Sequence, residues 1–288
     1  MRPKKQIAGE DMVFKQCFST VACMNADYET VIAACKKYHI AGVEVRLGND
    51  GSVFGMTEYT DIKRIKDEFE KNGLAITDFG SSSCFMGYDE QSVKDMQPVI
   101  DKAAEIGCRG VRVFLGNFAV RVNPDKPEPD YCGIVKALAE ICDDAKKKDV
   151  EIWVETHNEF ATGKVLKRLL KDVNRENLKI IWDVIHPIED GETIEETWNQ
   201  IGKSIAHVHI KDGINRHDPL WHDFRYTRLG EGELPLYELL DLLKNVGYDG
   251  YLSLEWESAW RPELQTLPQD LDYILTQYND FLESYRRK

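Results

Sequence analysis

The stretch Val150-Glu151-Ile152-Trp153-Val154-Glu155-Thr156-His157 decides the fold. Its even positions are apolar or small, whereas Glu151, Trp153, Glu155 and His157 take the odd ones. Successive side chains of a strand point to opposite faces, so one face here is apolar and the other carries titratable groups. The same alternation recurs in Ile205-Ala206-His207-Val208-His209-Ile210-Lys211, where both histidines and Lys211 share a face. Tyr251-Leu252-Ser253-Leu254-Glu255 and Val43-Glu44-Val45-Arg46-Leu47 repeat it. Strands that seat helices on an apolar outer face and turn polar groups inward belong to a closed barrel whose centre is wet.

Working outward, β-like runs fall at 13–18, 43–47, 75–79, 111–115, 150–155, 180–183, 205–210 and 251–255. Helical patterns lie between them. Tyr28, Val31, Ile32 and Cys35 follow the first run, and Leu271, Ile274, Leu275, Tyr278, Phe281, Leu282 and Tyr285 follow the last, both with i, i+3, i+4 spacing. Eight such units in 288 residues leave about 36 residues apiece, close to an eightfold β/α barrel of ~250 residues. No Pro/Gly/Ser-rich linker or low-complexity tract divides the chain. A doubly wound open sheet competes, but eight units without a phosphate-binding glycine loop favour closure. The expected fold is α/β, a single (β/α)8 TIM barrel over residues 1–288.

Composition narrows the function. Lys and Arg number 37 against 50 Asp and Glu, a net charge of −13, which argues against a nucleic-acid partner, since phosphate-backbone binding needs clustered cations. Seven cysteines without a C-x-x-C pair read as reduced thiols rather than a disulfide frame. No window approaches the ~18 consecutive apolar residues of a membrane span, and no apolar segment follows the basic residues near Met1. A cytoplasmic protein with no membrane partner is expected.

Four consecutive strands end in metal-ligating side chains: Glu155, Asp183, His209 and Glu255. Hard oxygen donors with one imidazole suit a divalent metal ion, with Mn²⁺, Mg²⁺ or Co²⁺ favoured over Zn²⁺ because no thiolate joins the set. The competing reading pairs each carboxylate with inward Arg46, Arg112 or Lys211. Carboxylates converging in a low-dielectric mouth repel, and a divalent cation offsets that repulsion without long, flexible partners. His157 shares the face of Glu155, and His186 follows Asp183 by three residues at the start of a loop; both are candidates to meet a substrate. His207 lies one pleat deeper and orients its neighbours. Glu44, Arg46 and Arg112 face inward, where they bind a substrate carboxylate or phosphate or pair with one another. Trp221 and Trp260 fall in loops as candidates for a hydrophobic lid, whereas Trp182 and Trp256 have outward parity and pack against helices.

Five motifs then appear in order: Trp153-Val154-Glu155-Thr156-His157, Asp183-Val184-Ile185-His186, His207-Val208-His209-Ile210-Lys211-Asp212, Leu229-Gly230-Glu231-Gly232-Glu233 and Leu252-Ser253-Leu254-Glu255. The set resembles the sugar phosphate isomerase/epimerase family, which has the xylose isomerase-like TIM barrel. The resemblance implies that Glu155, Asp183, His209 and Glu255 are metal ligands and that His186 touches substrate oxygen. It implies a small-molecule sugar or polyol substrate and often a homo-oligomer, although no interface signal stands out. The expected chemistry is isomerisation or epimerisation of a ketose, inosose or sugar phosphate, by proton transfer through a metal-stabilised enediolate. Glu155 and Glu255 act as the acid/base pair, with His186 and Lys211 on the developing oxyanion. Loss of hydroxide from the adjacent carbon would make the same site an inosose dehydratase-like lyase, and a non-catalytic sugar-binding barrel is a third reading.

Two departures bear on the branch. Ketose 3-epimerases carry an Arg that grips substrate six residues after the ligand His, but that position is Asn215 here and Arg216, a candidate to contact substrate, comes one later. Lys211-Asp212 and the Gly-Glu-Gly segment are closer to the inosose and general sugar phosphate branch. The AP endonucleases of this barrel use extra histidines from strands two and three. Here those strands run into Arg46-Leu47-Gly48 and Ser81-Ser82-Ser83-Cys84, which disfavours a nuclease.

Overall fold

A computed structural model describes residues 14–117, 127–217 and 223–288. Eight parallel strands alternate with eight principal helices: β1 (Lys15–Ser19), α1 (Tyr28–Tyr38), β2 (Gly42–Arg46), α2 (Tyr59–Lys71), β3 (Ala75–Gly80), α3 (Glu90–Ile106), β4 (Gly110–Leu115), α4 (Tyr131–Lys146), β5 (Glu151–Glu155), α5 (Gly163–Val173), β6 (Leu178–Asp183), α6 (Ile194–Ile201), β7 (Ile205–Ile210), α7 (Leu236–Asn245), β8 (Tyr251–Leu254) and α8 (Leu271–Arg286). Each strand pairs with its neighbours in chain order, and β1 with β8 closes the barrel. The periodicity places all eight strands within two or three residues at either end. It does not show the two-residue strand Cys84–Phe85 beside β4, nor the antiparallel hairpin of Asp212–Asn215 with Phe224–Thr227.

Local chemistry explains where the helices start. Asp27, Asp89, Asp130, Thr162 and Asp270 each accept a backbone N–H from the first turn of α1, α3, α4, α5 and α8. Thr193 and Glu196 form a reciprocal capping box on α6. Such caps satisfy donors that a helix start leaves unpaired, at about 1 kcal/mol each.

The outer strand faces and the inner helix faces make one apolar shell, in which Val43, Val111, Val113, Ile152, Val154, Val208, Leu252 and Leu254 are almost wholly buried. Trp182 packs on Trp198 of α6 and Trp256 is buried, as their outward parity requires. Inside, the barrel holds Glu44, Asp78, Arg112, Trp153, His207 and His209 where branched aliphatics usually stack. Two glycines make room near its floor. A Cβ on Gly110 would stand 2.3 Å from the Trp153 indole, and one on Gly42 would stand 2.7 Å from the Tyr251 ring. Trp153 in turn stacks on His207, with centroids 5.7 Å apart. Among the described residues no helix is long and apolar enough to cross a membrane.

Candidate metal centre and active site

The strand register sets the site. Asp183 on β6 lies beside His209 on β7, and His209 lies beside Ser253, two residues before Glu255 on β8. On the other side, the Thr156 hydroxyl accepts from the Asp183 N–H at 2.8 Å and donates to the Asp183 carbonyl at 2.9 Å, tying the end of β5 to β6. Glu155, Asp183, His209 and Glu255 thereby offer ligand atoms that all lie within 4.8 Å of one another, and all four side chains are buried.

Both sequence readings meet here. Arg112 Nη1 reaches Glu155 at 3.0 Å and Glu44 and Glu255 at 3.4 Å each. Lys211 Nζ lies 2.6 Å from Asp183 and also pairs with Glu255 and Glu257. Glu257 is shared with Arg261 at 3.6 Å. The pairs exist, but Arg112 and Lys211 alone meet four carboxylates, Glu44, Glu155, Asp183 and Glu255; the remaining charge is met by protons on His186 and His209, whose affinity for them these acids raise, and on Glu155 itself. Leaving charge unpaired away from water is costly. A divalent cation can take the place of protons on Glu155 and His209, and three carboxylates with one imidazole are hard donors that suit it. The residues present therefore fit a divalent ion.

His209 is aimed by its second nitrogen. Its Nε2 lies 2.7 Å from Glu44 Oε2, while its Nδ1 faces Glu255 at 3.2 Å. Ser19 donates to the other oxygen of Glu44 at 3.0 Å. A carboxylate behind a histidine fixes which nitrogen keeps its proton and makes the other a better ligand. His207 stands 3.6 Å from the same Glu44 oxygen, one pleat below, and completes a second group of ligand types with Glu44 and His209.

The titration of the acids differs sharply with their neighbours. Burial pushes Glu155 up to about 7, with Glu255 adding to the effect and Arg112 opposing it. Burial also acts on Glu255 and Asp183. Lys211 and His209 outweigh it at Glu255, and Lys211 and His186 at Asp183, so both stay well below the usual carboxylate range. Burial disfavours charge on His186 too, yet Asp183 and Glu189 raise it to about 10. Its Nδ1 lies 2.9 Å from Glu189 and its Nε2 3.3 Å from Asp183. His157, 4.2 Å from His186 between ring centroids, is held neutral by burial and by that neighbouring positive ring.

The structure thus brings Glu44, Arg112, Glu155, His157, Asp183, His186, His209, Lys211 and Glu255 to one place. His186 lies on a short helix, Ile185–Glu189, rather than in a loop. Arg46 stands nearby, half-buried, and Trp260 is 53% exposed beside it at one cavity. Arg216 is elsewhere: it is half-exposed on the hairpin, near Asp223 at 3.7 Å and Glu263 at 3.4 Å, because the strand it follows has already left the barrel. Trp221 lies outside the described residues. The Gly230–Gly232 segment is a turn clamped by Asp212, whose carboxylate accepts from the N–H groups of Gly213, Gly230, Gly232 and Leu234. Sequence reading missed Glu257 and Glu189. Glu257 is two residues beyond Glu255, and Glu189 stands at helical i+3 spacing from His186; both signals were available. Nothing local marks Asp78, which is wholly buried beside Glu44.

A closed barrel with an acid-rich centre at the ends of its last four strands defines the class. The chain belongs to the xylose isomerase-like TIM barrel family, whose family model matches residues 32–277. A protein of Methanocaldococcus jannaschii without an assigned activity is 33% identical over 125 residues, 41% of each chain; this chain thus spans less than half of that relative's length. A Streptomyces coelicolor protein named as a putative hydroxypyruvate isomerase is 24% identical over 232 residues, covering 73% of this chain and 78% of its own. Further curated relatives are named as isomerases or epimerases. Among solved structures, the IOLI protein with a bound zinc atom shares the fold at a TM-score of 0.73 and 19% identity, over 94% of this chain and 99% of its own.

Proposed function

We propose that the protein is a divalent-metal-dependent isomerase or epimerase of a small keto sugar or related polyol, working by proton transfer next to a carbonyl. The observation that carries this reading is the buried set of Glu155, Asp183, His209 and Glu255, whose ligand atoms lie within 4.8 Å of one another. The relatives' names support the reaction class, and the zinc seen in a structural neighbour supports a divalent ion. The donor set favours Mn²⁺, Mg²⁺ or Co²⁺.

When bound, the ion supplies Lewis acidity to the substrate carbonyl and its neighbouring hydroxyl. Glu155 and Glu255 approach from strands separated by β6 and β7 and flank the substrate. Glu255, held ionised by Lys211 and His209, removes the proton from the carbon beside the carbonyl. Glu155, on the opposite flank, returns one. Delivery to the opposite face gives epimerisation, and delivery to the adjacent carbon gives isomerisation. Lys211 and protonated His186 donate hydrogen bonds to the oxygen that gains charge, and His157 stays neutral at its side.

The test is solvent exchange. Candidate ketoses and inososes are incubated in D₂O with the Mn²⁺-loaded protein, and deuterium is sought at the carbon next to the carbonyl by NMR. Incorporation that Glu155→Gln lowers by about 10²–10⁴-fold, the usual weight of a positioned acid or base, supports the proposal. Product formed by loss of water would reassign the protein to a dehydratase, and a panel with neither exchange nor turnover would refute proton transfer.

A further inference from the structure

The acid cluster does not use every inward cation. Arg112 is committed to it: its Nη1 faces three carboxylates and its Nε donates to the Ser81 carbonyl at 3.4 Å. Arg46 is not. It stands two residues beyond Glu44 on the same face of β2, so its Cα lies roughly 7 Å nearer the mouth. Its Nη1 donates to the backbone carbonyls of Leu47 at 3.3 Å and Gly80 at 3.2 Å. Among the described residues no carboxylate comes within ion-pair distance of it, and its Nε and Nη2 donate to nothing. Burial and the neighbouring Arg112 penalise its charge more than the more distant Glu44 and Glu255 favour it. A half-buried guanidinium with no carboxylate in direct contact needs a reason to be kept there.

The space beside it supplies one. A cavity of about 390 Å³ is bounded by Arg46, Thr20, Met24, Phe54 and Trp260, at the C-terminal ends of β1, β2 and β8. Small-molecule sites run from about 300 to 1,000 Å³, apolar in the main with a few placed polar groups. Met24 and Trp260 are 51% and 53% exposed, so the cavity is open, and its lining follows strand C-terminal ends, the face on which the acid cluster also lies.

We propose that Arg46 selects an anionic substrate: a short-chain sugar derivative whose terminal carboxylate or phosphate meets the Nε–Nη2 edge of Arg46, its carbon skeleton running back towards Glu155 and Glu255. Two adjacent N–H groups in one plane match a carboxylate's two oxygens, a geometry that lysine cannot reproduce. Only the direction of the skeleton rests on the proton-transfer reading above; the anion site stands without it.

Calorimetric titration of the Mn²⁺-loaded protein with erythronate, erythritol and erythritol 4-phosphate tests this, since none of the three has a carbonyl to react. One or both anions should bind at least ~10-fold more tightly than erythritol, as for charge-assisted hydrogen bonds. Arg46→Met should remove most of that advantage, and Arg46→Lys should keep an intermediate share for the phosphate and less for the carboxylate. Whichever anion wins identifies the group. If Arg46→Met does not fold, the loss in Arg46→Lys decides. Equal affinity for acid and polyol overturns the proposal, as does an erythronate advantage that survives in Arg46→Met, which would place the carboxylate on the metal. Anion binding that persists where no substrate shows deuterium exchange would refute proton transfer and leave this site intact.

Discussion

Glu44 is no ligand in the set that ends the last four strands, yet it determines which nitrogen of His209 faces that set. Replacing it with Gln keeps the shape but removes the charge behind the imidazole, so His209 becomes a poorer donor. Glu44→Gln should weaken Mn²⁺ binding by about 10- to 100-fold with the fold retained, as measured by calorimetry and circular dichroism; unchanged affinity would leave Glu44 as a partner of Arg112 only. A second expectation follows from protons. In the metal-free protein Glu155 titrates near 7, and His209 is held protonated well above its ordinary range by Glu255 and Glu44. Both must lose their protons to become ligands, so the ion competes with protons and its affinity rises with pH through neutrality. At pH 6.5 roughly one to two protons should leave per ion bound, visible as a dependence of binding enthalpy on buffer ionisation; enthalpies that do not change with buffer would contradict it. At this scale the sequence was informative wherever parity applied: Glu155, His157, His207, His209, Lys211 and Glu255 all face where the alternation puts them. It was silent on ion-pair choice, because Arg46 and Arg112 have the same parity and only the neighbouring strands decide that one meets acids and the other meets carbonyls.

Elements outside the strict β/α repeat hold the rim, and they were the least legible. The hairpin Asp212–Asn215 with Phe224–Thr227 does not stand out in the sequence, since its residues show no sustained alternation and the paired positions lie nine to fifteen residues apart. Arg216 comes one residue after the position at which ketose 3-epimerases carry their Arg, but the chain turns out of the barrel after Lys211 and carries it to the surface. What secures this rim is Asp212, buried at the start of the hairpin with four backbone N–H groups on one carboxylate. Gly232 has no alternative there, because a Cβ would stand 2.1 Å from Asp212 Oδ1 and 2.5 Å from the Gly213 nitrogen. Asp212→Ala should therefore orphan several donors together and cost about 3 kcal/mol. Hydrogen exchange should locate the damage, with faster exchange at Gly213, Gly230, Gly232 and Leu234 and little change on β1 to β4. Uniform acceleration across the barrel would show instead that Asp212 supports the whole fold.

Across the molecule, folding gathers acids that it balances in part only by holding protons. The apolar shell between strands and helices is what makes the barrel stable, and it was readable from the 2.0 and 3.6 periods because each is repeated eight times. The centre works against that stability: closing the barrel brings Glu44, Asp78, Glu155, Asp183 and Glu255 out of water within one narrow lumen, where burial raises some and cations hold others down. Sequence alone showed that these side chains point inward, but not how few cations would meet them, since that depends on which rotamers pack. An ion that binds the folded chain and not the unfolded one should convert this conflict into stability. At a free concentration of 100 times its dissociation constant it contributes about 2.7 kcal/mol. For a chain of this size that corresponds to a rise of roughly 5–10 °C in Tm. Calorimetric scans should show this rise with Mn²⁺ and its reversal by EDTA, while Glu155→Gln combined with Asp183→Asn should no longer respond to the ion. The double variant removes two buried negative charges, so its metal-free Tm should not fall as a lost-contact argument would predict, and it tests the source of the shift. A Tm indifferent to Mn²⁺ in the unmodified chain would mean that Arg112 and Lys211 suffice to hold the acids together.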